Sequence, residues 1–489
     1  MREKGSNEVS GGFLKDLTGR VKFRYLGLGF LWAWIYATWM TPAVFPKSAG
    51  LTVQNDISWL ISCGTVVPAL FLIPLLMKGR DVSSVPWFRR LGGIGTSIGA
   101  IMMAAEPLFG IELPAVAYLG GILTGVASAL LWICWGEFSG KVDIEISEVA
   151  VPCCVAVPLV ILFSTSFFSG VVGGLAICLL PLVSGILLEF SLEDEEALDP
   201  VPLMPKDERP PFMKDFIRMG IGSLAVYACI SFVWGATSYP NVVGWGGTPV
   251  FPFLIGGVLA IIVSLLSIYF ARSLNLFGLY RWLIPIILFS LLCLTIGRAW
   301  SSFLSYTLIT VAQFGFDIIV WVYFTRIIRK GICPAGVAIG VNRGFVQAGV
   351  FAGSMCASWL SLPINDQVVS LTFICLVMAC LFVTVVLSVL TQREKLEHAI
   401  DPAKVAQGGI DADQRIDLIC EQLAKRYGLT DRERQILGYL AVGRSLPYIR
   451  DELVLSKNTV DTHAKNLYRK LGIHSRQELI DLFDEGSGR

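Results

Sequence analysis

Apolar stretches of about 20 residues recur along the chain near 24–45, 57–77, 91–109, 113–135, 147–168 and 170–190. They recur again near 216–237, 249–270, 279–297, 301–325, 335–360 and 368–390. At about 1.5 Å of rise per residue, each is long enough as a helix to cross the ~30 Å hydrocarbon core of a bilayer. Lipid offers no partner to a free backbone amide, so such stretches must be helices that satisfy their own hydrogen bonds. The pattern therefore predicts an all-α chain with a polytopic membrane domain of about 12 spans, six in 24–190 and six in 216–390. Polar separations within 91–135 and 147–190 are short, which leaves ten or eleven spans open. Only 16% of the 489 residues are charged and mean hydropathy is +0.66, against about 25% charged in soluble domains.

Basic residues set the orientation. Loops on one side carry Arg2, Lys4, Lys15, Arg20, Lys22, Arg24, Lys78, Arg80, Arg89, Arg90 and Lys141, then Lys206, Arg209, Lys214, Arg218, Arg272, Arg281, Arg326, Arg329 and Lys330. The opposite loops carry Lys47 and Arg298. Twenty against two predicts that both termini are cytoplasmic. The first apolar run is too long, and lacks the small-residue site, for a cleavable signal peptide.

The polar segments divide the rest. Residues 1–23 form a basic arm. Residues 191–215 run acidic (Glu193, Asp194, Glu195, Glu196, Asp199) and then proline-rich, which predicts a solvated linker with little reason to fold. Residues 391–425 form a second linker that ends in an amphipathic helix, with Ile416, Ile419, Leu423 and Tyr427 at helical spacing. Of twelve cysteines, Cys333 and Cys420 are expected to be aqueous and reduced. With no Cys-x-x-Cys and three scattered histidines, no metal site is expected. No nucleophile–base set or phosphate loop stands out, so neither an enzyme nor a cofactor is expected.

Residues 426–485 have a different grammar. Thr430-x-x-Glu433, Ser456-x-x-Thr459 and Ser475-x-x-Glu478 are capping boxes or near-boxes, and Gly443 and Pro447 mark a stop and a start. They predict four helices at about 431–442, 446–453, 457–470 and 476–484. In the third, Val460, Ala464, Leu467 and Leu471 form the buried stripe. The opposite face presents Asn458, Thr462, Lys465, Asn466 and Arg469 with Asp461 beside them, and residues 456–470 carry a net charge of +3. A short helix with small polar residues on one face and cations around them suits entry into the major groove of double-stranded DNA.

This stretch resembles the LuxR/FixJ-type helix-turn-helix from Leu429 to about Leu482. The resemblance is carried by Leu429-Thr430-x-Arg432-Glu433, Gly443, Ile449, Leu453, Ser456, Thr459-Val460, His463, Lys470-Leu471 and Ser475-Arg476-Gln477-Glu478-Leu479. It implies a four-helix unit whose third helix reads the groove and whose last helix often forms a homodimer on DNA. Asp461, Thr462 and Lys465 are then the groove-facing positions. Thr459, His463 and Lys470 lie near the phosphates, with Lys457, Asn458 and Arg469 completing the surface. The sequence departs from the family at Asp461, where lysine is usual. An aspartate repels phosphate but can accept from a cytosine amino group, so it alters site preference or weakens binding. Ser445 to Arg450 also departs from the family's polar, lysine-containing stretch, with Arg444 and Arg450 as replacement cations.

The two six-span halves resemble the major facilitator architecture, with basic loops Lys78–Arg90 and Arg272–Arg281 at equivalent places. Ionisable residues inside spans mark sites by default. Asp317 and Arg343 are each expected about 12 Å deep, with Gln313 and Gln347 on their faces. They are expected to pair and line a polar cavity, so that exchanging both charges rescues what either single change destroys. Gly336, Gly340 and Gly344 predict close helix packing, and Trp32, Trp39, Trp87 and Trp245 predict interfacial anchors. Together these features predict a regulator held in a bacterial cytoplasmic membrane. Its partners would be DNA, the bilayer, RNA polymerase and a small-molecule or membrane signal. The alternative is a transporter with a regulatory or vestigial DNA-binding domain.

Overall fold

The computed structural model describes residues 21–40, 44–45, 53–165, 170–194, 198–199, 203–205, 213–237, 250–271, 276–360, 367–390, 420–421, 423–424, 427–441 and 457–471. The chain divides into two compact units, Met1–Leu396 and Glu397–Arg489.

Every expected span in the first unit is a helix. They are α1 Gly27–Met40, α2 Val53–Leu76, α3 Pro86–Met103, α4 Pro114–Lys141, α5 Ile144–Thr165 and α6, which runs Gly170–Cys178 and resumes at Leu180–Leu192. The second half holds α7 Met213–Thr237, α8 Val250–Ala271, α9 Leu276–Thr295, α10 Ala299–Arg329, α11 Ala335–Leu360 and α12 Gln367–Leu390. The break in α6 falls at Leu179 because Pro181 follows and cannot donate to the carbonyl four residues back. Among the described residues six helices are long and apolar enough to cross a membrane, and shorter apolar helices accompany them. Large apolar side chains such as Leu72, Val172, Phe251, Phe373 and Leu381 are exposed, as a lipid-facing surface requires. The chain is a multi-pass membrane protein.

The packing repeats with a period of six helices. Within the halves, α1 packs on α5 as α7 does on α11, α2 on α4 as α8 on α10, and α3 on α6 as α9 on α12. Across the halves, α2 meets α11 and α5 meets α8. Shifting each number by six, counting on from twelve to one, turns one of these contacts into the other, the signature of an approximate twofold axis between repeats. Close approach at the seam depends on glycine. Across it, a Cβ on Gly340 would stand 2.5 Å from the Leu70 carbonyl oxygen; within the second half, one on Gly353 would stand 2.3 Å from that of Ala228. The glycine stripe on α11 is thus a packing device.

Three expectations change. The 191–215 segment is not simply solvated. Asp194 is buried against Lys22 (2.6 Å), Arg24 and Tyr25, and burial raises its pKa less than these partners lower it, holding it at about 2. Further on, Asp199 accepts from Arg329, its N–H donates to the Lys141 carbonyl (2.8 Å), and the Met204 N–H donates to that of Gly331 (2.9 Å). The acidic run finds the basic ends of α4 and α10 and straps both halves. Trp32 is a core residue, 1% exposed, rather than an anchor; Trp39 packs against the core, Trp87 is exposed, and Trp245 lies outside the described residues. Cys333 and Cys420 are both buried.

In the second unit, α13 Asp431–Ala441 and α14 Lys457–Leu471 share a small core of Ile436, Leu437, Leu440, Val460, Leu467 and Leu471. Cys420 belongs to it, and Leu423 and Tyr427 pack against it, so the helix ahead of this unit is part of its packing. Gly428, at φ +62°, ends that helix in the left-handed conformation glycine tolerates. Residues 411–419 and the expected helices at 446–453 and 476–484 lie outside the described residues.

Candidate functional site

The C-terminal unit is built around a carboxylate. The Thr430 N–H donates to Glu433 Oε2 (2.8 Å) and the Glu433 N–H donates to Thr430 Oγ1 (3.3 Å), the reciprocal capping box that starts α13. Lys470, on the last turn of α14, donates to the same Glu433 oxygen (2.7 Å) and to the Gly428 carbonyl (2.9 Å). One lysine therefore ties α14 to the start of α13. Burial raises the Glu433 pKa, but the bonds from Lys470 and Thr430 outweigh it and hold the group below its ordinary value. A depressed carboxyl contributes stability above its ordinary pKa of 4.5 and loses it as pH falls through the folded value. Lys470→Met should remove that contribution and lower hydrogen-exchange protection at Ile436 and Leu437 by roughly tenfold in the full chain at pH 7, about 1.5 kcal/mol for a charged hydrogen bond. Unchanged protection would contradict the tie.

Opposite the buried stripe, Thr462, Lys465 and Arg469 are exposed, at spacings of three and four residues along one face. Thr459, His463 and Asn466 are half-buried at its edges. The side chains of Lys457, Asn458 and Asp461 lie outside the described residues, although all three belong to α14. The exposed face thus carries one hydroxyl and two cations, able to bond base edges and phosphates.

The membrane unit holds a cavity of about 90 Å3 between its halves. It is lined from α1, α2 and α4 on one side and from α7, α10 and α11 on the other. Gln313, Asp317, Arg343 and Gln347 all line it. Arg343 Nη1 donates to Asp317 Oδ1 at 2.9 Å, and each residue is 3% exposed. Helix α10 runs on to Arg329, so Asp317 stands about 18 Å from that end, nearer mid-span than expected.

Sequence gave no sign of the setting of this pair. The Arg343 guanidinium lies 4.4 Å from the Trp132 ring and 4.9 Å from that of Trp321, and Trp32 joins them in a cluster with ring centroids 6.1–6.5 Å apart. Faces of indole stabilise a cation that lipid would not. Gln313 Nε2 donates to the Tyr36 hydroxyl (2.6 Å). A periodicity search weights charges, not the rings that three distant helices bring around them.

At the end of the bundle where Asp199 meets Lys141 and Arg329, an ion pair joins the halves. Arg326 donates to Glu148 (3.0 Å) between α10 and α5. Glu137, fully buried on α4, accepts from the N–H groups of Val82 (2.9 Å) and Ser83 (2.7 Å) in the α2–α3 loop. It was not among the expected site residues, being close to a span end. Glu137→Ala would orphan both donors and should cost roughly 2–5 kcal/mol, seen as a lower unfolding temperature in detergent; an unchanged temperature would rule out the capping role.

Comparison with known proteins agrees with both units. Residues 428–483 match the family described as bacterial regulatory proteins, luxR family. The chain is 39% identical over 90 residues to the uncharacterized response regulatory protein YgeK of Escherichia coli K12, over 18% of this chain and 59% of that protein. It is 53% identical over 53 residues to the fimbriae Z protein of the same strain, over 11% of this chain and 25% of that one. It is 42% identical over 59 residues to the HTH-type transcriptional regulator MalT of Serratia proteamaculans, over 12% and 6%. The likeness is thus to one domain, spanning 59% or less of these relatives' length. Among solved structures, a bacterial homologue of the iron transporter ferroportin, in an outward-facing state with soaked iron, is similar at a TM-score of 0.54 and 15% identity. That likeness covers 76% of this chain and 99% of the other and concerns the fold alone.

Proposed function

We propose that this chain, a polytopic membrane protein whose residues 428–483 form a LuxR-type helix-turn-helix domain, is a transcription regulator that binds DNA while held in a bacterial cytoplasmic membrane. The observation that carries this reading is the exposed Thr462–Lys465–Arg469 face on a helix whose other side is fully packed. The membrane unit is its sensor. It offers a cavity between two halves, and a ligand that binds one arrangement of the halves better than another shifts the population between them. Both termini are cytoplasmic in this reading, as the basic loops require. The last helix pairs two copies on a two-fold operator, and RNA polymerase is the eventual partner.

Membrane vesicles carrying the full chain test the reading: they should retain a labelled operator fragment, and vesicles carrying the Thr462→Ala, Lys465→Ala variant should not. Equal retention by both would exclude the α14 face. A second reading is a transporter with an accessory DNA-binding domain, favoured by the cavity and by the fold it shares with a transporter homologue. It requires solute flux that depends on Asp317 and Arg343 and survives removal of 411–489.

A further inference from the structure

The walls of the cavity select what can occupy it. We infer that it binds a small, flat, single-ring aromatic molecule that is uncharged overall and carries both a hydrogen-bond acceptor and a donor. The inference rests on the sensor reading for its consequence, since this molecule would be the signal.

Rings dominate the lining: Trp32, Tyr36, Trp59, Trp132, Tyr227 and Trp234 face the space from four helices in both halves. Such walls favour another ring, stacked or edge-on. They would also suit a cation, but the Arg343 guanidinium already covers Trp132, and a second cation would meet its charge. Asp317 in turn neutralises Arg343. Among the described lining side chains no other carries a charge, so an ion entering this low-dielectric space would find no counter-charge there for the water it gives up.

The polar groups set the rest. Among the described residues, Arg343 Nε and Trp34 Nε1 are donors without a partner, and Gln313 Oε1 is an acceptor without one. All three residues line the cavity and are 3%, 5% and 3% exposed. Buried polar atoms are rarely left unpaired, and a ligand with one acceptor and one donor answers both kinds. Size limits it further. An apolar cavity of about 150 Å3 holds one benzene, and this one, at about 90 Å3, admits at most a single ring, with movement of half-buried wall residues such as Gln347 and Trp59.

The full chain in lipid nanodiscs would be titrated with benzamide and phenol, reading tryptophan fluorescence and unfolding temperature, with empty nanodiscs as the control for partition into lipid. The charged isosteres benzoate and benzylammonium would be run beside them. The expected result is saturable binding of at least one neutral probe and at least tenfold weaker binding of both ions. Trp34→Phe, which keeps a ring but drops the N–H, should weaken the neutral probe at least threefold at unchanged folding; Gln313→Leu should weaken it as much, with a lower unfolding temperature from the lost Tyr36 bond. Absence of saturable binding by either neutral probe would leave the space as a water pocket and overturn the inference. So would ions that bind as well or better, or variants that bind as the parent does. Binding that saturates while operator retention stays constant would keep the site and sink the sensor reading, so the two fail separately.

Discussion

Replacing Asp317 by alanine should cost the membrane unit about 3–5 kcal/mol, the usual effect of stranding one partner of a buried ion pair. That is comparable with the entire ~5–15 kcal/mol that holds a folded chain together, so the variant should be nearly absent from detergent extracts analysed by size-exclusion chromatography. Arg343→Ala should do as much, since it strands Asp317 and also empties the space between Trp132 and Trp321. The double variant Asp317→Asn, Arg343→Gln should recover most of the loss, because neither residue is then a lone charge. The exchanged pair, Asp317→Arg with Arg343→Asp, is a finer probe. Sequence alone expects full rescue, but two indole faces surround position 343 and disfavour an anion there, so rescue should be partial. A double-neutral variant no better than the worse single change would contradict the pairing.

The second large effect is on DNA. Thr462→Ala and Lys465→Ala together should weaken specific operator binding by roughly 2–6 kcal/mol, from about 30-fold to more than a thousandfold, if each base-edge contact contributes about 1–3 kcal/mol. Arg469→Ala should behave differently. As a phosphate contact it should weaken all sequences alike and reduce the slope of log affinity against log salt by about 0.9. Asp461→Lys, which restores the usual residue, should raise non-specific affinity and flatten discrimination. Electrophoretic mobility shifts across a salt series separate these outcomes, and a salt slope unaltered in the Arg469 variant would remove it from the interface.

The most legible features in the sequence were those governed by local periodicity. Twelve apolar runs became helices, one of them broken at Leu179, because the backbone has no other solution in lipid, and Thr430 and Glu433 formed their capping box because its geometry spans three residues. The Asp317–Arg343 pair was legible for a different reason. Two opposite charges at similar depth on consecutive spans can hardly avoid each other. What remained hidden depends on long-range meeting of residues that are ordinary by themselves. Asp194 looked like one acid in a solvated run until Lys22 and Arg24, about 170 residues away, closed on it. Trp32 and Trp132 looked like span residues, and only the packing of the two halves puts them with Trp321 beside Arg343. Lys470 looked like a phosphate contact, and the fold gives its ammonium to Glu433.

The central claim is that one chain stays in the membrane and reads specific DNA. Genome-wide DNA occupancy of the full-length protein, beside the Thr462→Ala, Lys465→Ala variant and with membrane localisation of both verified, tests it most directly. Discrete peaks that vanish in the variant are the predicted result. No peaks under several growth conditions, or peaks that the variant keeps, would contradict it.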